Sequence, residues 1–85
     1  DTQTIVASVR KTHRALVVHE AVQFCGVGAE IAAQITAEAF DYLDAPPLRL
    51  GAPFSPVPYS PPLEQAWIPN AGQVVDLVLK LVGRT

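Results

Sequence analysis

The sequence predicts an α/β domain built on a βαβ unit with a parallel sheet, and three observations carry that prediction. Ala15-Leu16-Val17-Val18 is a short, continuous, β-branched run of the kind that forms a strand buried on both faces. A helical period follows it, with Ile31, Ile35, Ala39 and Leu43 recurring at intervals of four. A second apolar stretch, Leu48-Arg49-Leu50, comes directly after Pro46-Pro47 have ended that helix. Strand, helix and strand in this order cross over right-handedly.

In chain order, Ile5, Val6 and Val9 fall on one side of a helical wheel and Ser8, Arg10 and Lys11 on the other, which predicts a helix from about Thr2 to Thr12. At under four turns such a helix is stable only when packed. The first strand is predicted from Arg14 to His19. Gly26-Val27-Gly28 then breaks the pattern, and the long helix is expected from Ala29 to near Asp44, with Gln34, Glu38 and Asp41 on its polar side. The second strand is Leu48-Arg49-Leu50. All eight prolines lie between Pro46 and Pro69. Residues 46–69 are therefore expected to form an ordered, extended loop, with neither a regular helix nor a central strand. Asn70 stands three residues before Gln73 as N-cap and capping-box partner. It opens a terminal helix from Ala71 to about Val82, with Val74, Val75, Val78, Leu81 and Val82 on one face and Asp76 and Lys80 spaced for an i,i+4 pair. Two strands seldom stand alone as a sheet. Further strands are expected upstream of Asp1, and the opening Asp1-Thr2-Gln3-Thr4, without Met, reads as part of a longer chain.

Composition narrows the function. Eighty-five residues make one small domain, and a chain of this size buries only about 60% of its unfolded surface, so a deep catalytic cleft is not expected. A hydrophobic content of 49% rules out disorder and predicts that some apolar surface meets a partner. The net charge is −2, from six basic and eight acidic residues without a Lys/Arg cluster, which weighs against nucleic acid. Cys25 is alone and forms no internal disulfide, so the cytoplasm is the expected compartment. No apolar run reaches the roughly 20 residues of a membrane helix.

Several residues invite a chemical reading. Gly26-Val27-Gly28 lies between strand and helix, where backbone N–H groups can hold a phosphate. The third glycine of the dinucleotide pattern is absent, since position 31 is Ile, and no acidic residue follows the second strand to hold a ribose. The favoured reading is tight helix–strand packing. His13, His19, Glu20 and Cys25 match no zinc spacing, and Cys25 is expected to be a buried structural cysteine. His19-Glu20 ends the first strand, where parallel sheets place functional residues, and is the best site candidate beside the alternative of a pair satisfied by loop backbone. Pro58-Tyr59-Ser60-Pro61-Pro62-Leu63-Glu64 and Trp67-Ile68-Pro69 join stiff backbone to large anchors, Tyr59 and Trp67 above all, as a docking surface does. Pro53-x-x-Pro56 is a weak polyproline-ligand signal.

Five stretches together resemble one family. They are Val17-Val18-His19-Glu20-Ala21, then Cys25-Gly26-Val27-Gly28-Ala29-Glu30-Ile31-Ala32-Ala33, Phe40-Asp41-Tyr42-Leu43-Asp44-Ala45-Pro46, Pro56-Val57-Pro58-Tyr59, and Leu63-Glu64 with Ile68-Pro69. In this order they resemble the C-terminal domain of the E1 β subunit of thiamin-diphosphate-dependent 2-oxo acid dehydrogenases, the pyruvate, branched-chain and acetoin enzymes. The resemblance runs from about Ile5 to Val82. It implies a three-layer α/β/α domain of the transketolase C-terminal type, with a mostly parallel five-stranded sheet, truncated here on its N-terminal side, so that residues 1–85 are the C-terminal part of one domain.

The resemblance further implies an α2β2 enzyme that decarboxylates a 2-oxo acid, pyruvate foremost, on thiamin diphosphate with magnesium and acylates the lipoyl group of E2. In that family the cofactor is held by other domains. No catalytic, cofactor-binding or metal-binding residue is therefore expected on this chain. Its expected partners are the E1 α subunit, a second β subunit and the E2 subunit-binding domain, with His19, Glu20, Tyr59, Leu63, Glu64, Trp67 and Ile68 as interface candidates. In some members the β C-terminus docks E2, and the tail Val82-Gly83-Arg84-Thr85 follows no pattern shared with them. The alternatives are another thiamin-dependent enzyme, transketolase-like or acetoin-cleaving, and an independent proline-rich binding module.

Overall fold

The computed structural model describes residues 1–83. Helix α1 spans Thr2–Thr12, strand β1 Leu16–Val22, helix α2 Val27–Ala39, strand β2 Leu48–Ala52, helix α3 Pro61–Trp67 and helix α4 Ala71–Leu81. The strands pair in parallel as a two-stranded sheet, joined by the α2 crossover. Helix α2 packs across both strands and carries α1 on its flank, while α4 contacts the sheet. The fold is thus α/β, as the sequence predicts.

Each element has a local cause. Asp1 caps α1 by accepting from the Thr4 N–H at 3.2 Å. Helix α1 buries Val6 and Val9 against Ile35 and Ala39 of α2, with Ile5, Ala15, Ile31 and Leu43 packed around them. Ile35 is the most completely enclosed large side chain, and burying a side chain of this size contributes about 1.5–3 kcal/mol. Helix α1 ends on His13, whose φ of 67° is left-handed, and the turn is held by a 2.6 Å contact from His13 Nδ1 to the Tyr42 carbonyl oxygen. Leu50 and Ala52 of β2 and Leu81 of α4 are also buried. Arg14 joins the two ends of the domain, donating to the Leu81 carbonyl at 2.8 Å and pairing with Asp44 at 3.5 Å. A cation at the carboxyl end of α4 also faces the favourable end of its dipole.

Five expectations are corrected. Strand β1 starts at Leu16 and continues to Val22, past the expected end at His19, because the ladder resumes beyond an irregularity. Leu16, Val17 and Val18 pair with Leu48, Arg49 and Leu50, and the next pair is Val22 with Ala52. His19, Glu20 and Ala21 therefore stand opposite Gly51 alone, a β-bulge no periodicity reveals. Helix α2 begins two residues before Ala29 and stops at Ala39, and Phe40–Tyr42 tighten into a 3₁₀ turn in place of α-helix up to Asp44.

The stretch 46–69 is not wholly extended, since α3 lies within it. Pro61 and Pro62 occupy its first positions, where the missing N–H has no intrahelical partner to lose. Cys25 is exposed, lying in the surface turn between β1 and α2 with a left-handed φ of 57°. At α4 the full capping box forms, with the Gln73 N–H donating to Asn70 Oδ1 at 2.9 Å and the Asn70 N–H to Gln73 Oε1 at 3.0 Å. Asp76 and Lys80 do not pair; among the described residues Arg14–Asp44 is the one ion pair. Of the C-terminal tail, Arg84 and Thr85 lie outside the described residues.

Candidate functional site

The bulge in β1, the turn that follows it, the first turn of α2 and Gly51 of β2 meet around His19. Its Nδ1 lies 2.9 Å from the Ala21 carbonyl oxygen, which can only accept, so Nδ1 carries a proton. Nε2 is buried and has no hydrogen-bond partner among the described residues. Three glycines make room for the ring. A Cβ on Gly28 would stand 2.7 Å from His19 Nε2, one on Gly51 2.8 Å from Cε1, and one on Gly26 3.0 Å from Cε1 and 2.3 Å from the Val22 carbonyl oxygen. The imidazole thus packs directly against the glycines at the start of α2, in keeping with the packing role read for Gly26 and Gly28. Glu20, next in sequence, is exposed.

The other interface candidates sit in and after the proline-rich stretch. Tyr59 is 99% exposed and Leu63 59%, so neither is used by the fold itself. Glu64 is exposed, and its carbonyl accepts from the Ile68 N–H at 3.1 Å, which closes α3. Trp67 and Ile68 are half-buried. Trp67 anchors the loop by donating from Nε1 to Ser55 Oγ at 3.0 Å and lies nearer the Ser55 carbonyl than 3.5 Å, at 3.3 Å. Large side chains are therefore presented on backbone that is already tied down.

Sequence reasoning missed a group at the carboxyl ends of the strands. Arg49 on β2 donates from Nη1 to the Gln23 carbonyl at 3.0 Å, and Gln23 Oε1 accepts from the Gly51 N–H at 3.1 Å. Beside them Phe24 and Phe54 pack with ring centroids 5.0 Å apart and planes inclined by 56°. The available signal was a charge inside an otherwise apolar strand, Leu48-Arg49-Leu50. Among the described residues no group of three or more His, Cys, Asp or Glu is placed to hold a metal ion. No helix among them is long and apolar enough to cross a membrane.

A parallel βαβ unit with a further helix against its sheet defines an α/β domain, and comparison places it. Residues 1–74 match the family described as transketolase, C-terminal domain, and the chain belongs to that family. It is similar to the β subunits of pyruvate and acetoin enzymes, as the residue motifs indicate. The pyruvate dehydrogenase E1 component subunit beta of Porphyra purpurea is 45% identical over 96% of this chain and 25% of that protein. The corresponding Rickettsia conorii protein is 46% identical over 95% of this chain and 25% of its own length. The acetoin:2,6-dichlorophenolindophenol oxidoreductase subunit beta of Bacillus subtilis is 40% identical over 98% of this chain and 24% of its own length. The chain thus spans about a quarter of the length of these relatives.

Proposed function

We propose that this chain is the assembly domain of an E1 β subunit in a 2-oxo acid dehydrogenase complex, holding subunits together while the chemistry takes place elsewhere. The observation that carries this reading is the display of large apolar side chains, Tyr59 and Leu63 foremost, on a fixed loop and short helix. Exposed side chains of this kind on anchored backbone lose little entropy on docking. The names of the β-subunit relatives support a partner α subunit; a second β subunit, the E2 subunit-binding domain and a cytoplasmic compartment complete the proposal. In this reading the complete enzyme decarboxylates pyruvate on thiamin diphosphate with magnesium. The cofactor supplies the carbanion-stabilising chemistry, and no step of it is assigned to this chain.

The test is the full-length β subunit co-expressed with its neighbouring α subunit and supplied with thiamin diphosphate and magnesium. Decarboxylation is measured on a panel of 2-oxo acids and acetoin, beside the sedimentation of the complex. Replacing Tyr59 and Leu63 together by Ala should shift the complex toward free subunits and lower activity in proportion. Full assembly and full activity in that variant would sink the reading. Turnover of acetoin but no 2-oxo acid would assign the acetoin-cleaving activity instead, which the 40% identity to the Bacillus subtilis protein makes the second candidate.

A further inference from the structure

A half-buried guanidinium is costly unless a carboxylate or a full set of acceptors offsets its lost hydration. Arg49 is half-buried, yet among the described residues its guanidinium has one hydrogen-bond partner, the Gln23 carbonyl, and no carboxylate at pairing distance. Five N–H donors are available on that group, so most of its capacity is unspent. Arg49 lies in a groove of about 450 Å³ at the carboxyl ends of β1 and β2, together with Gln23, Phe24, Phe54, Trp67 and Gln73. The two phenylalanines are 63% and 74% exposed although their rings touch each other. Trp67 is already committed to Ser55 and gives the groove a fixed wall.

Charge and shape therefore specify the occupant. We infer that this groove receives a segment of a neighbouring subunit carrying an Asp or Glu beside a bulky apolar side chain, the carboxylate pairing with Arg49 and the apolar group covering Phe24 and Phe54. The inference rests on the assembly role proposed above and adds the chemistry of the partner. A carboxylate is selected because Arg presents a planar fork of donors that a carboxylate matches in two bonds. The flanking apolar group is selected because aromatic side chains at a site of this kind are where binding energy concentrates.

The test uses the full-length β subunit co-expressed with its α subunit. Arg49→Gln retains a donor for the Gln23 carbonyl and removes the charge, and Arg49→Glu reverses it. Circular dichroism reports that each variant is folded, and sedimentation gives the dissociation constant of the complex. Loss of a desolvated charge pair should weaken association about 30-fold in Arg49→Gln and further in Arg49→Glu.

In parallel, a photoreactive benzophenone amino acid in place of Phe54 should form adducts with a peptide of a neighbouring subunit that contains Asp or Glu, a readout that leaves Arg49 intact. Unchanged association of folded Arg49→Gln, or adducts confined to the same chain or to peptides without a carboxylate, would overturn the inference. If Tyr59 and Leu63 replacements weaken the complex and Arg49→Gln does not, the groove inference fails and the assembly reading stands. If none of them does, both fail.

Discussion

At the scale of single residues, the controlling feature is one imidazole enclosed by glycines. Gly28 stands in the first turn of α2, where alanine would ordinarily be favoured by about 1 kcal/mol. Here the added methyl would meet His19 Nε2 at 2.7 Å, so Gly28→Ala should destabilise the whole subunit by about 1–3 kcal/mol, as overpacking does. His19→Ala removes the obstacle, and in that background Gly28→Ala should become neutral or stabilising. Urea unfolding of the four proteins measures the sign change, and equal costs in both backgrounds would show that the ring is not what the glycine accommodates. The packing role of Gly26 and Gly28 was legible because the dinucleotide pattern is incomplete. Their contact was not, since the ring they accommodate is also bounded by Gly51, which adjoins His19 only once β1 and β2 are in register. Arg49 was hidden for the opposite reason. A charge in a three-residue apolar stretch looks like an edge residue until it is known that no carboxylate among the described residues lies near it.

At the scale of elements, legibility follows the locality of the forces. Helix α4 could be placed from the sequence because both bonds of its capping box lie within four residues, and Asn70→Ala should lower stability by about 1 kcal/mol. The effect should appear as a lower thermal midpoint of the subunit, since α4 packs on both strands; an unchanged midpoint would mean that α4 is held by packing alone. Strand β1 was legible from its β-branched run as far as Val18, and its continuation was not, because the bulge depends on a partner strand 30 residues away in sequence. Helix α3 was missed because eight prolines were read as uniformly opposed to helix. Two of them sit at the only helical positions where proline is at home.

At the scale of the whole molecule, a two-stranded sheet leaves an outer edge on each strand among the described residues. Val18 on β1 is 45% exposed, although its β-branched neighbours were read as a strand buried on both faces. Unpaired edges and uncovered apolar side chains promote association. Expressed alone, the 85-residue chain should therefore form oligomers or aggregates, seen by light scattering across a dilution series. A monodisperse monomer with a cooperative unfolding transition would instead support an independently folding module. The fold class was legible at this scale because strand, helix and strand follow one another directly. What surrounds the sheet was not, because it depends on surfaces that these residues only meet.

The domain measures 44 × 27 × 17 Å. A helix with its side chains is about 10–12 Å across, so the short dimension admits little more than one helical layer on the sheet. Few side chains can be deep inside such a slab, and the buried hydrophobic set is correspondingly small. Random variants of the segment should consequently sort by phenotype. Changes at Ile35, Ala39 or Leu50 should lower the amount of subunit that survives in the cell, whereas changes at Tyr59, Leu63 or Phe54 should leave that amount intact and reduce only the share found in the complex.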